Sequence, residues 1–453
     1  MLTAIELVAI ASIILVGAFF ILSRPGASRA LAFLVGVSAG LMAVQIFRIH
    51  IFTIVVVLWF LVALRQRQPP ITRDAIALVV FAALLSSTAL YGDLVNSPAL
   101  GLQLTAFAIA AALIATMCDK ADRWAILYGL LTVTTVGSLV GLGQVAGIVP
   151  SELWHLSISA LGRPTGIYPE PDWLGMYSGV GLLLSWRLRI GSLLRPGLLA
   201  VNALACILAF ARAAWIAVAV VVLMMAVLAA ATWARRRWAR LAAQNGTAGQ
   251  NGAAAPTSTQ APKSMTGTNK SSGHLTSLIV MATALIVLIT AIPVLGENLV
   301  TRLGQTLVAQ ADDVSAQARV QQINGLLELS STAPWFGHGL SASGRVTSNG
   351  RLQLGDSQNN VGSNWLLSLW VDGQLLSIPL VLLLIVITVR TIRTIEGQAL
   401  LLVLTSSLFS NATFCPVTWA LLGLALASIA RRRRLRSAGV PPAGVVALSG
   451  VAT

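Results

Sequence analysis

Apolar residues in this chain arrive in long blocks separated by short arginine-rich clusters. The blocks fall at Ala4–Leu22 and then at about 29–47, 49–64, 74–91, 99–117, 123–149, 173–186, 194–211, 213–232, 276–294, 364–389, 397–411 and 415–430. A straight transmembrane helix needs ~20 residues, and several blocks are shorter, so their boundaries are loose. The pattern predicts 13 membrane-crossing helices, or 12 if Arg48 and His50 interrupt one unit within 29–64. The expected fold class is an all-α polytopic membrane protein with 12–13 transmembrane helices. Met1–Glu6 carries no basic n-region, so Ala4–Leu22 is expected to be a retained span and not a cleaved signal.

The arginine clusters orient the blocks. Arg65, Arg67 and Arg73 form one cluster, Lys120 and Arg123 a second, and Arg187, Arg189 and Arg195 a third. Arg235–Arg237 with Arg240, Arg390 with Arg393, and Arg431–Arg434 with Arg436 follow later spans. Alternating 13 spans puts all of them on one side, which the positive-inside rule makes cytoplasmic. The C-terminus is then inside and the N-terminus outside.

Composition agrees with that picture. Of 453 residues, 56% are hydrophobic and only 10% charged, too few charges to cover a soluble multidomain enzyme. The net charge of +15 follows topology and does not indicate a nucleic-acid partner. Only seven of the 30 basic residues are left outside, which draws attention to them. Cys118, Cys206 and Cys415 are far apart, with no disulfide or zinc spacing.

Polar stretches divide the chain further. Residues 241–275 and the tail 437–453 are poor in large apolar residues and are expected to be disordered. The spans divide into a 1–240 half and a 276–436 half. Two outer segments exceed turns: Pro150–Asp172 and Gly296–Ser363. The second, with an amphipathic stretch over Val308–Leu329, is expected to form a small folded cap. Long loops in a compact protein usually carry function.

Chemistry is sought in those loops. The first contains GRPTGIYPEPDWLG, residues 162–175. Arg163 offers a planar fork of donors for phosphate oxygens; the plainer reading pairs it with Glu170 to hold a proline-stiffened turn, with Asp172 beside it. Arg212 in AFARAAW is either an interior cation or a headgroup-level arginine beside Trp215. In the late loop Arg319 opens a helix that Pro334 ends. His338 between Gly337 and Gly339 is expected to be exposed on a flexible turn, either as a general base or as an ordinary surface histidine. Asp356, Asn359, Asn360 and Asn364 form a polar patch before the next span. There is no P-loop, no dinucleotide fingerprint, no HExxH and no DxD pair, which disfavours ATP-driven transport, nucleotide-sugar chemistry and zinc hydrolysis.

The order GRPTGIYPEPDWLG, AFARAAW, ARVQQINGLLELSSTAPWFGHGL and SNWLLSLWVDGQLL resembles the O-antigen ligase and polymerase superfamily of bacterial envelope proteins, over about 120–430. The resemblance implies a GT-C-like helical fold and a metal-independent glycosyltransferase, with no cofactor, on the outer face of the bacterial cytoplasmic membrane. Its donor would be an undecaprenyl-diphosphate-linked glycan, O-antigen or exopolysaccharide, passed to a glycan or lipid acceptor. Envelope polysaccharide assembly proteins would be candidate partners. Arg163 and Arg319 match the two diphosphate-binding arginines, and Arg212 the third, although Ala211 stands where serine is common. The family's His-Asn pair reads Ser363-Asn364 here, so either the base would come from His338, Glu170 or Asp356, or the reaction would depend mainly on leaving-group stabilisation. Asn364 and Asp172 would serve the acceptor side or the scaffold. The competing classes are a lipid-linked glycan flippase or secondary transporter, and a structural scaffold. No internal repeat and no mid-span ion relay favours transport.

Overall fold

The computed structural model describes residues 26–42, 44–46, 49–65, 71–149, 163–248, 314–355 and 361–437. The expected spans Ala4–Leu22 and 276–294, linker residues 249–275, the tail beyond Ser437 and Asp356, Asn359 and Asn360 lie outside them. In chain order the helices are α1 Ala27–Gly40, α2 Ile51–Leu64, α3 Arg73–Ser87, α4 Ala99–Met117, α5 Lys120–Val145, α6 Pro171–Arg187 and α7 Leu194–Leu208. They continue with α8 Arg212–Ala248, α9 Val314–Thr332, α10 Trp365–Gly373, α11 Ile378–Thr391, α12 Ile395–Ser406 and α13 Pro416–Ser437. A two-residue hairpin, Gln45–Ile46 with Ile49–His50, separates α1 from α2.

Among the described residues four helical stretches are long and apolar enough to cross a membrane: Arg73–Leu90, Ala99–Met117, Lys120–Val145 and Arg212–Ala239. The protein is therefore a helical membrane protein. Along its apolar stretch α5 is 61% buried and α8 only 22%, so α5 is a central post and α8 a peripheral helix with apolar side chains such as Leu223 and Val227 turned outward.

Small residues let the helices approach. A Cβ on Gly36 of α1 would lie 2.0 Å from the carbonyl oxygen of Ile126, and one on Gly129 of α5 would lie 2.0 Å from that of Phe33. With Gly36 and Gly40 four residues apart, α1 and α5 pack backbone to backbone, the small-xxx-small arrangement of membrane helices. Polar side chains join α5, α6 and α7 inside this bundle. Ser138 Oγ lies 2.8 Å from Ser178 Oγ and donates to Asn202 Oδ1 at 3.0 Å, while Asn202 Nδ2 donates to Thr135 Oγ1 at 3.1 Å.

The bundle has two unlike ends. At one, Arg433 pairs with Asp74 at 2.9 Å and Arg123 with Glu396 at 2.7 Å, and Tyr128 donates to the Arg189 carbonyl. The arginine clusters of α3, α5, α6, α11 and α13 thus share this basic end. The described loops 92–98, 163–170, 209–211, 333–355, 361–364 and 407–415 gather at the other, the cap end.

Three expectations change. The block 364–389 is broken into α10 and α11 by a turn in which Gln374 has φ +42°. That conformation is costly for a residue with a Cβ and is held by Gln374 Nε2 donating to the Ser330 carbonyl at 2.9 Å. The α8 helix runs on to Ala248, eight residues into the stretch expected to be disordered. The third concerns loop 92–98, which was short enough to pass as a turn. Leu94 N donates to the His338 carbonyl, and Arg345 donates from Nε to the Leu94 carbonyl at 2.9 Å. Asn96 N and Ser97 N donate to Ser341 Oγ. This loop is built into the cap.

Candidate functional site

The first arm of the site is the 163–170 loop, and its shape follows from its sequence. Gln144, at the end of α5, accepts from Thr165 N and Gly166 N at 3.0 and 2.9 Å. Gly166 sits at φ +61°, and a Cβ there would lie 2.5 Å from the Gly137 carbonyl oxygen, so only glycine fits. Tyr168 stacks on Tyr177 of α6 with centroids 4.4 Å apart. Pro171 then opens α6, where its missing N–H costs nothing. The loop is thereby fixed on both flanks, and Arg163 and Asp172 leave it side by side.

Arg163 Nη2 donates to Asp172 Oδ1 at 2.6 Å, and its Nε donates to the Ala209 carbonyl at 2.8 Å. The carboxylate partner is Asp172 and not Glu170, because α6 begins at Pro171 and presents Asp172 in its first turn. Ala209 belongs to the tight α7–α8 turn, in which Phe210 has φ +48° and Trp215 Nε1 donates to the Cys206 carbonyl at 2.9 Å.

The second arm comes from the cap. Arg319, near the start of α9, donates from Nη2 to Asp172 Oδ2 and from Nη1 to the Phe409 carbonyl. Phe409 lies in the loop after α12. That loop is tied to α10 by Asn364, whose Nδ2 donates to the Leu408 carbonyl at 3.0 Å while its Oδ1 caps Leu367 N. Asn364 thus braces the loop that holds Arg319. Arg163, Asp172 and Arg319 form one cluster in which each arginine takes one carboxylate oxygen. Their side chains are 15%, 16% and 31% exposed, so solvent still reaches the group.

The charges in this cluster are unequal in behaviour. Burial opposes ionisation of Asp172, but Arg319 and Arg163 outweigh it and hold its pKa below the usual carboxylate value. At Glu170, crowding around the carboxyl and the neighbouring Asp172 charge push the pKa up, against the pull of Arg319 and Arg163. Glu170 is otherwise exposed and caps nothing with its side chain.

The remaining candidates divide. Arg212 is exposed at the first residue of α8, three residues after Ala209, whose carbonyl accepts from Arg163. Its neighbours Ala209, Ala211 and Ala214 sit against Gly175, one turn into α6. His338 contradicts the expectation of a mobile, exposed residue: it is 5% exposed. Its Nδ1 lies 2.9 Å from Asp93 Oδ1 and its Nε2 3.1 Å from the Leu329 carbonyl. A Cβ on Gly337 would lie 2.4 Å from the Asp372 backbone and one on Gly339 2.7 Å from Gly92 Cα. The glycines around His338 therefore serve close packing and not motion. His338 also belongs to the wrong end of α9. Leu329 is ten residues beyond Arg319, about 15 Å along a helix rising 1.5 Å per residue. Asp356 lies outside the described residues.

Two acids escaped the sequence reading. Asp93 holds His338, and buried Asp372 accepts from Ser343 N at 2.7 Å and Ser341 N at 3.0 Å. The only local signal for Asp372 is an acid inside an apolar stretch. Among the described residues no three His, Cys, Asp or Glu side chains group as metal ligands. No family model matches the chain, and no curated protein matches it by sequence.

Proposed function

We propose that this protein is a glycosyltransferase of the outer face of the bacterial cytoplasmic membrane, polymerising or ligating undecaprenyl-diphosphate-linked oligosaccharides. In this reading it has 12–13 spans in a GT-C-like arrangement, and the basic end, with the C-terminus, is cytoplasmic. The observation that carries the reading is the meeting of Arg163 and Arg319. They are 156 positions apart in the chain, from separate loops, yet both forks close on one anionic seat.

Such a pair suits the chemistry. Breaking the bond between an anomeric carbon and a lipid diphosphate leaves negative charge on the departing phosphate. Fixed guanidinium groups in a partly desolvated site stabilise that charge without needing to reorganise. The acceptor hydroxyl attacks from the opposite face, with inversion, and must give up a proton. Glu170 is the candidate base, since it is exposed beside the clamp and its raised pKa makes it a better proton acceptor than an ordinary carboxylate. Arg212 would add positive charge at the rim, and His338 would keep the cap folded.

The test is to incubate the purified protein with an undecaprenyl-diphosphate oligosaccharide. Longer lipid-linked chains are expected for a polymerase and transfer to a second lipid for a ligase. Flux across liposomes at unchanged chain length would replace this reading with transport, and no reaction with any acceptor would overturn it.

A further inference from the structure

The arginine clamp is already occupied by a group of the protein itself. Asp172 gives one oxygen to Arg163 and the other to Arg319, the pattern in which two non-bridging oxygens of a phosphate would be taken. Each arginine also has a second anchor that does not involve Asp172. Arg163 donates to the Ala209 carbonyl and Arg319 to the Phe409 carbonyl. Both carbonyls belong to turns held by their own hydrogen bonds, from Trp215 Nε1 and Asn364 Nδ2. The forks are thus held in place from the backbone side, and the carboxylate is not needed to aim them. A buried brace would look different, as Arg123 and Glu396 show: the carboxylate there is 0% exposed and its second oxygen is closed off by Ser428.

We infer that Asp172 is a resident stand-in for phosphate, which fills the seat in the resting protein and is displaced when a diphosphate binds. The inference rests on the proposed role of the two arginines and adds a specificity-determining residue to it. Tethered in the first turn of α6, Asp172 competes at the effective concentration of an intramolecular group. A monovalent anion such as acetate or chloride brings no more charge than Asp172 itself, whereas a diphosphate brings more charge and more acceptor oxygens to the two forks. The seat is thereby kept for lipid diphosphates at a surface crowded with other anions. A seat closed for nine-tenths of the time weakens the apparent affinity about tenfold, and removing the occupant restores it.

The experiment measures binding of inorganic pyrophosphate and inorganic phosphate to the purified full chain and to Asp172→Asn, with Arg163→Ala as the reference lacking one fork. The expected result is pyrophosphate binding about tenfold tighter or more in Asp172→Asn than in the wild type, together with phosphate binding that the wild type lacks. Equal or weaker pyrophosphate binding by Asp172→Asn, with the wild type still binding in an Arg163-dependent way, overturns the stand-in and leaves the clamp reading intact. Absence of Arg163-dependent binding in both proteins removes the clamp reading and the stand-in with it. Should Asp172→Asn fail to fold, hydrogen exchange on the wild type decides the matter. Displacement releases the first turn of α6 from both arginines and predicts faster exchange of the Trp173 and Leu174 amides, which donate to the Glu170 carbonyl, when pyrophosphate is added; unchanged or slower exchange there overturns it.

Discussion

The two ends of this bundle each hold an arginine–carboxylate cluster, and the two are built for opposite ends. At the basic end, Arg123 from α5 meets Glu396 from α12 at 2.7 Å, stacks its guanidinium 4.7 Å over the Trp124 ring, and finds the other carboxylate oxygen taken by Ser428. One arginine faces one acid, helix meets helix, and Glu396 is wholly covered. At the cap end two arginines share one acid, the groups come from a loop, the first turn of α6 and the second turn of α9, and part of each side chain remains exposed. A closed pair of equal charges fastens helices. An open cluster with two cations on one partly exposed anion is the arrangement from which the displacement proposed above follows. In the proposed reading the same chemical groups serve as fastener or receptor according to their number and their covering.

Breaking the fastener should give the largest effect on stability. Glu396→Ala leaves Arg123 buried without its partner and is expected to cost about 3–5 kcal/mol, read as a fall in the thermal midpoint in detergent. Protein that still folds should keep its clamp intact. The receptor should behave in the reverse way. Arg163→Ala and Arg319→Ala are each expected to lower glycan transfer on the order of 10²–10³-fold, while insertion and accumulation stay near normal. If both variants still make polymer at close to the wild-type rate, the mechanism proposed for the clamp is wrong.

A smaller effect separates His338 from the chemistry. His338→Ala removes a buried ring from the cap together with its contacts to Asp93 and the Leu329 carbonyl, and should cost about 1–3 kcal/mol of stability. Transfer per folded molecule should change by much less than in the arginine variants. A loss of 10²-fold or more at full folding would return His338 to the catalytic candidates.

The smallest effect is a pH signature. The folded pKa of Asp172 is depressed from 3.8, so its contribution is complete above that value and is lost as pH falls through the lower folded pKa. The folded pKa of Glu170 is raised from 4.5, so the folded state binds that proton more tightly. Acidification from neutrality therefore adds stability through Glu170 before it removes stability through Asp172. Thermal midpoints measured against pH should show the first change missing in Glu170→Gln and the second missing in Asp172→Asn.

Much of the cap end was legible in the chain, though unevenly. Arg163, Arg319 and Asp172 stand out because charge is scarce in so apolar a sequence, and glycine and proline around Arg163 announce a fixed loop. The partner of Arg163 was not legible: Glu170 and Asp172 are both near in sequence, and only the start of α6 at Pro171 decides that Asp172 faces it. His338 was misread because glycines on either side allow two opposite outcomes, a mobile turn or a close approach of backbones. The contacts of Gly337 with Asp372 and of Gly339 with Gly92 select the second. Asp93 gave no signal, since a single acid in a short loop is unremarkable until its distant partner is known.

What the sequence alone determined was set by one-dimensional quantities: the length of each apolar block against the thickness of a bilayer, and the side on which arginines collect. These fixed the helical class and the shared end of the basic clusters, because hydrophobic burial and positive-charge placement act on each segment separately. Which arginines converge, which histidine is buried and where the block 364–389 breaks were decided only by tertiary structure. Those outcomes depend on distances between groups up to 156 residues apart, and such distances are fixed only once the loops have closed and the glycine-lined helices have packed.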